Sequence, residues 1–211
     1  MKTSAAHAPI SKLDLYQVNK AEYATPRKPS LLRIAKANYL GIAGRGAPGG
    51  EAFQQAIGAL YSIAFTIKMA SKFAGRDYGV CKLEGQWWVD SGCSFMTAPK
   101  DQWSWRLLIR TPEFIGKREM EAARKQLESK GKDPLFKEVQ LTPLNEGLCV
   151  QMLHAGPYDS EAESIRLMEA FAGEQGYRFD GLHHEIYLSD PRRVAPEKLR
   201  TILRIPVKPI K

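Results

Sequence analysis

YLGIAGRGAP, residues 39–48, decides the fold, because it aligns without a gap on LCVQMLHAGP, residues 148–157. In both stretches an apolar run typical of a β-strand ends in a turn of glycine, alanine and proline, and a helical pattern follows. Each predicted helix is followed by two further strands, so the order strand, helix, strand, strand occurs twice along the chain. A repeated order of elements indicates an internal duplication.

A duplicated strand–helix–strand–strand unit predicts an α+β fold, in which helices pack on an antiparallel sheet. We predict an N-terminal arm over residues 1–30, with one short strand near 13–18, and a single domain over 31–211. The domain contains two repeats, about 31–110 and 145–207, joined by a charged amphipathic helix over 117–130. Two such repeats related by a pseudo-twofold axis leave a central cleft for a ligand.

Composition and hydropathy place the protein in the class of soluble globular domains. Hydrophobic residues make up 44% of the 211 residues and charged residues 26%, which is ordinary for such a domain. No apolar run reaches the length of a membrane span, and the N-terminus lacks the apolar core of a signal peptide. Three widely spaced cysteines, Cys81, Cys93 and Cys149, are typical of reduced thiols. We therefore predict a cytoplasmic protein that does not contact a membrane.

The net charge of +8 raises the question of a nucleic-acid partner. Residues 1–36 carry a charge of +5 and residues 192–211 carry +6, so the residues between them carry −3. The excess of lysine and arginine therefore lies at the two ends of the chain. This distribution favours solvated surface residues over a nucleic-acid patch, and we predict no nucleic-acid partner.

GLHHEIYLSDP, residues 181–191, predicts a strand with an unusual polar face. Alternation along the strand places His183, Glu185 and Tyr187 on one face and His184 on the other. A carboxylate between a histidine and a tyrosine is not a typical core choice, since glutamate is seldom fully buried. From the residues alone, Glu185 either points to solvent or into an ion pair, or it lies in a pocket, where burial would raise its pKa.

LEGQWW, residues 83–88, predicts the corresponding strand of the first repeat. Alternation places Glu84 and Trp88 on one face and Trp87 on the other. If the repeats are pseudo-symmetric, Glu84 occupies a place similar to that of Glu185 and adds a second carboxylate to the cleft. A core tryptophan beside an exposed glutamate is the simpler alternative.

WSWRLLIR, residues 103–110, alternates strictly between apolar and polar or basic residues over most of its length. Trp103 and Trp105 share one face with the leucine and isoleucine that follow them. Two tryptophans at the start of a half-buried strand favour the wall of a cleft, although core packing is the alternative.

Four segments together resemble the GyrI-like small-molecule-binding proteins, and the resemblance extends from about residue 30 to residue 207. They are LEGQWW, DQWSWRLLIRTPEF (101–114), HAGPYDSE (154–161) and HHEIYLSDPRRVAPEKLRTILRIPV (183–207). The similarity is to stand-alone tandem members and to the effector domains of multidrug-responsive regulators. It implies an aromatic pocket with a buried glutamate, which is Glu185 here, for bulky, planar and often cationic compounds.

One subgroup of the stand-alone members hydrolyses cyclopropanoid DNA-alkylating compounds within an aromatic cage, and the tryptophan-rich segments resemble that subgroup. The resemblance implies an enzyme in which Glu185 activates water and Tyr187 stabilises developing charge. The predicted ligand-contacting residues are Trp88, Trp103, Trp105, Glu84 and His183. A non-catalytic protein that sequesters planar drugs is the alternative. A gyrase-interacting protein is a third hypothesis, which the positive charge disfavours because DNA mimicry needs an acidic surface.

A metal site is not predicted, although His183 and Glu185 share a face. Their spacing is not the H-E-x-x-H pattern of a helical zinc site. A catalytic zinc site needs three protein ligands, and the sequence indicates no third one. We therefore predict neither a metal nor a cofactor.

Overall fold

A computed structural model describes residues 12–90 and 97–210 of the chain. Within these residues it contains nine β-strands and four α-helices. The strands are β1 (Ser30–Ile34), β2 (Ala37–Arg45), β3 (Glu84–Trp88), β4 (Ser104–Thr111), β5 (Gln140–Leu144), β6 (Gly147–Ala155), β7 (Tyr177–Phe179), β8 (His183–Tyr187) and β9 (Arg200–Pro209). The helices are α1 (Leu15–Val18), α2 (Glu51–Phe73), α3 (Lys117–Ser129) and α4 (Glu161–Glu174).

The sheet has the symmetry of a duplicated unit. Its order is β1-β6-β9-β8-β3-β4-β2-β5, with β7 paired to β9, and all of these pairs are antiparallel. Each strand of one repeat has a counterpart in the other. When every strand is exchanged for its counterpart, the same order results, read from the opposite edge of the sheet. The predicted α+β class with an antiparallel sheet is therefore confirmed.

The two repeats also exchange strands, which the sequence did not indicate. β1 lies at the start of the first repeat but pairs with β6 of the second, whereas β5 lies just before the second repeat and pairs with β2 of the first. Residues 30–45 thus form two strands, β1 and β2, with a break at residues 35–36. β5 contains Pro143, and the sheet accommodates this proline because β5 is an edge strand.

Residues 12–29 cross one face of the sheet, which we call the arm face. The strand predicted near residues 13–18 is wrong, because Asp14 accepts hydrogen bonds from the backbone N–H groups of Tyr16 and Gln17 and so begins the short helix α1. Further along, Gln151 Nε2 donates to the carbonyl of Ala24 at 2.9 Å. The arm is therefore fastened to the sheet by buried hydrogen bonds.

The opposite side of the sheet, which we call the helical face, is covered by α2 and α4. The core of the first repeat includes Leu60 of α2 and Leu107 of β4, and that of the second includes Met168 of α4 and Leu203 of β9. The central strands β3 and β8 lie between these two cores. None of the helices in the described part of the chain is long and apolar enough to cross a membrane.

Two of the three cysteines lie in the described residues, and both are free and buried. Burial raises the pKa of the Cys81 thiol and of the Cys149 thiol to about 12. These two groups therefore stay protonated and unreactive near neutral pH. Cys93 lies outside the described residues.

Candidate functional site

Glu185 lies at the centre of the helical face, between the two repeats. The register of β8 places it opposite Gly85 of β3 on one side and Leu203 of β9 on the other. A Cβ atom at Gly85 would stand 2.8 Å from Tyr187 Oη and 3.1 Å from Trp87 Nε1. Glycine at this position therefore leaves room for the polar groups beside Glu185, whose side chain is only 8% exposed.

A second carboxylate, Glu161, faces Glu185 from the first residue of α4. Glu161 is buried, and one oxygen of each carboxylate lies within 4.8 Å of the other. Burial, the charge of Glu185 and a hydrogen bond to it raise the pKa of Glu161 well above its usual range. Two carboxyl groups this close cannot both ionise easily, so Glu161 holds a proton more readily than an isolated glutamate does.

His183 and Tyr187 complete the polar part of the site. His183 Nε2 lies 3.1 Å from Glu185 Oε1. Trp87 Nε1 donates a hydrogen bond to Tyr187 Oη at 3.2 Å, and the tyrosine hydroxyl in turn bonds Glu185. Burial and the nearby Glu185 raise the pKa of Tyr187 well above 10, so its hydroxyl remains a hydrogen-bond donor throughout the physiological pH range.

Aromatic rings line the first-repeat side of this polar group. Trp87 and Trp105 are directly opposite each other on β3 and β4. Phe53 of α2 stacks on Trp87 with ring centroids 5.6 Å apart, and Trp103 meets Trp87 edge to face at 5.6 Å. The structure therefore brings the predicted residues Trp103 and Trp105 together on the helical face.

The aromatic cluster has a buried interior and a more open rim. Trp87 is 3% exposed and Trp105 is 2% exposed. Trp103 and Tyr187 are partly buried, and Tyr158, which meets Tyr187 edge to face at 6.0 Å, is 37% exposed. Trp103, Tyr158 and Tyr187 are thus the rings that an incoming ligand would meet first.

The prediction for Trp88 is corrected, because this residue lies on the arm face. Its Nε1 donates to Asp90 Oδ1 at 2.9 Å, and the guanidinium of Arg106 lies 5.8 Å from its ring. Trp87 takes the place in the cluster that was predicted for Trp88. Adjacent strand residues point to opposite faces, so choosing between them requires the register of β3 against β8.

The prediction for Glu84 is corrected for the same reason. Glu84 pairs with Ile186 rather than facing Glu185, and its side chain is fully buried on the arm face. Its Oε2 lies 3.0 Å from His184 Nε2, and the Tyr23 hydroxyl donates to its Oε1 at 3.3 Å. The second carboxylate beside Glu185 is Glu161, to which the sequence analysis assigned no role although it ends the segment HAGPYDSE.

The arm face carries its own buried charge network, centred on His184. His184 Nδ1 lies 2.8 Å from Glu146 Oε1, and Arg204 Nη1 lies 3.2 Å from Glu146 Oε2. Burial disfavours the charged imidazole, but the carboxylates of Glu146 and Glu84 outweigh it and raise the pKa of His184 to about 9. His184 is thus a cation near neutral pH, and each carboxylate of this network has a positive partner.

Comparisons with known proteins agree with the arrangement of the sheet. A family model described as the GyrI-like small molecule binding domain matches residues 118–208. An uncharacterized conserved protein from Listeria innocua is 38% identical, with a TM-score of 0.87 over 93% of this chain and 100% of that one. A hydrolase from Listeria innocua is also 38% identical over the same shares, with a TM-score of 0.84.

A more distant structure shares the fold alone. The C-terminal domain of EcmrR is 13% identical and has a TM-score of 0.56, over 87% of this chain and 98% of that one. A search of curated protein sequences finds no significant match.

Proposed function

Since the chain belongs to the GyrI-like small-molecule-binding family, we propose that its cleft binds planar hydrophobic xenobiotics and hydrolyses cyclopropanoid DNA-alkylating compounds. The observation that carries this proposal is the buried Glu161–Glu185 pair beside a cluster of aromatic rings. The 38% identity to a hydrolase from Listeria innocua supports a hydrolytic reaction. The family match also spans Glu161, His183, Glu185 and Tyr187.

Binding would rest on the rim of the aromatic cluster. Trp103 and Tyr187 are partly exposed and flank the acidic pair, so a flat ligand can stack on them with its reactive end toward Glu185. Stacking of a planar base on an aromatic side chain contributes about 1–3 kcal/mol. The negative charge of the acidic pair would also attract a cationic ligand in this poorly hydrated place.

The reaction would be the addition of one water molecule across a strained carbon–carbon bond. Glu185, as the carboxylate of the pair, takes a proton from water while the water oxygen bonds to the activated ring carbon. The ring bond breaks, and its electron pair moves into the conjugated carbonyl of the compound. Tyr187 or the Glu161 carboxyl group, whose pKa is raised, donates a hydrogen bond to the oxygen on which this charge grows. The proton that Glu185 accepted is then returned to that oxygen, so the product contains the whole water molecule and Glu185 is again a carboxylate.

The general base would account for only part of the increase in rate. A positioned general base contributes about 10²–10⁴-fold to a rate. Ring strain in the compound and its orientation between the aromatic rings would supply the remainder. A protein with the same rings but no competent base would bind the compound without opening it, which is the non-catalytic alternative.

Incubation of the purified protein with a cyclopropanoid compound tests the proposal directly. Mass spectrometry should show a product heavier by one water, formed faster than in buffer and in excess of the enzyme. Glu163→Gln is a matched control, because Glu163 lies on α4 close to Glu161 but is exposed. Binding of the intact compound without product would instead support sequestration, and no binding would reject both functions.

A further inference from the structure

The Glu161–Glu185 pair lacks the positive partner that buried carboxylates usually have. In the described part of the chain, neither carboxylate forms an ion pair with a lysine or an arginine. The basic group that lies beside them is the imidazole of His183. One oxygen of Glu161, Oε1, is buried without a hydrogen-bond donor. A proton or a metal cation between the two groups would supply the positive charge that burial of two carboxylates calls for.

The geometry of the three side chains suits a metal. One ligand atom each from Glu161, His183 and Glu185 lies within 4.8 Å of the others, and all three residues are buried. Ligands about 2.1 Å from a zinc ion stand roughly 3.0–3.5 Å apart, and the 3.1 Å between His183 Nε2 and Glu185 Oε1 falls in this range. The Glu161 carboxyl group can rotate relative to the other two ligand atoms, because its terminal torsion is soft.

Hydrogen bonds from neighbouring side chains also hold the Glu185 carboxylate in a fixed orientation. The hydroxyl of Tyr187 bonds Glu185, and Trp87 Nε1 holds that hydroxyl in place from 3.2 Å. Hydrogen bonds of this kind orient carboxylate ligands in metal sites and raise their affinity. Glu161 is the third ligand whose apparent absence argued against a metal at the level of sequence.

We propose that Glu161, His183 and Glu185 bind one divalent transition-metal ion. One imidazole with two carboxylates suits zinc or manganese, whereas magnesium prefers oxygen ligands and near-ideal octahedral geometry. Three protein ligands leave at least one coordination position for water or a ligand. The proposal concerns binding and holds or fails whether or not the protein hydrolyses cyclopropanoid compounds.

Calorimetric titration of the full-length, EDTA-treated and dialysed protein with zinc chloride tests the site. We expect one zinc ion per chain, with release of a proton that appears as a dependence of the heat on the ionisation enthalpy of the buffer. Glu161→Gln should weaken binding at least about 100-fold, beyond the loss that an outer-shell change causes. Glu163→Gln removes the same charge from the exposed side of α4 and should leave the affinity unchanged.

The melting temperature in EDTA and in zinc separates a lost ligand from a lost fold. Zinc should raise the melting temperature of the parent protein and of Glu163→Gln, but not that of Glu161→Gln. His183→Asn provides a second ligand variant should Glu161→Gln fail to fold. Undiminished zinc binding in a folded Glu161→Gln or His183→Asn protein, or no stoichiometric binding by the parent, would overturn the proposal and leave the proton between the two carboxyl groups.

Discussion

The two faces of the central strand pair β3–β8 carry the same kinds of side chain in opposite electrostatic states. On the arm face, Glu84 and Glu146 contact a protonated His184, and Arg204 adds a second cation. On the helical face, Glu161 and Glu185 face each other beside a single histidine. Neighbouring residues of one strand thus contribute to a compensated network and to an uncompensated one.

Under the proposed function, this difference is one between structural and functional use of buried charge. A compensated network holds elements together, and here it joins the sheet to the arm, since the Glu22 carbonyl accepts a hydrogen bond from Arg204. An uncompensated pair lowers stability and keeps a protonatable group available for a ligand. The helical face is also lined by partly exposed rings, whereas the arm covers the other face. The predictions below test whether the two faces differ in this way.

The largest effect is expected from removing a carboxylate on the arm face. Glu146→Ala leaves Arg204 and His184 buried with one partner fewer, so the free energy of unfolding should fall by about 3–5 kcal/mol. Urea denaturation measures this change. The exposed Glu121→Ala, on α3, should change stability by less than about 0.5 kcal/mol, and an equally small loss for Glu146→Ala would refute the structural role of the network.

The pH dependence of stability should expose the cation on the arm face. The pKa of His184 is about 9 in the folded protein, against 6.5 as its ordinary value. Its stabilising contribution is therefore complete below about pH 6.5 and is lost as the pH rises toward 9. The loss should be on the order of 2–3 kcal/mol. His184→Asn should flatten the unfolding free energy over this range, and an unchanged slope would show that His184 is not the titrating group.

Substitutions at the rim of the aromatic cluster should change the affinity for a ligand rather than the stability of the protein. Trp103→Ala should weaken binding of a ring-opened, unreactive planar product by about 1–3 kcal/mol, because one stacking surface is lost. Trp88→Ala is the matched control, since Trp88 is also partly buried but lies on the arm face. Equal losses in the two variants, measured by fluorescence titration, would contradict the assignment of the ligand to the helical face.

A small gain in stability is expected from neutralising the acidic pair. Glu161→Gln removes a group whose raised pKa makes the folded protein less stable as the pH rises above about 4.5. In EDTA at neutral pH, the variant should therefore be more stable than the parent by about 1 kcal/mol, the lower end of the cost of an unsatisfied buried group. A clear loss of stability would mean that Glu161 is held by compensating contacts after all.

Comparison of sequence with structure shows which signals were local and which were not. Alternation along β8 predicts that Glu185 and Tyr187 share a face, and this prediction does not depend on which strands lie beside β8. The repeated order of elements likewise predicts an antiparallel sheet. The place of Trp87 depended on which residue of β3 faces Glu185, and only the pairing of β3 with β8 decides that. Glu84 was misplaced because the symmetry argument compared strands by position and ignored register.

Glu161 was missed for a different reason. It lies at the start of α4, and no spacing along the chain connects it with β8. A glutamate at the beginning of a helix is common, because it interacts favourably with the helix dipole, so the residue carried no unusual signal. Its role follows only from the packing of α4 against the sheet, which turns the first residue of the helix toward Glu185.

The turnover of Glu185→Gln tests the functional assignment of the helical face most directly. The substitution keeps the shape of the side chain and removes the base. Opening of a cyclopropanoid compound, followed by mass spectrometry, should therefore fall by about 10²–10⁴-fold. The melting temperature and the affinity for a neutral ring-opened product should stay close to those of the parent, and Glu163→Gln should retain full turnover. Turnover by Glu185→Gln at the rate of the parent would contradict the assignment.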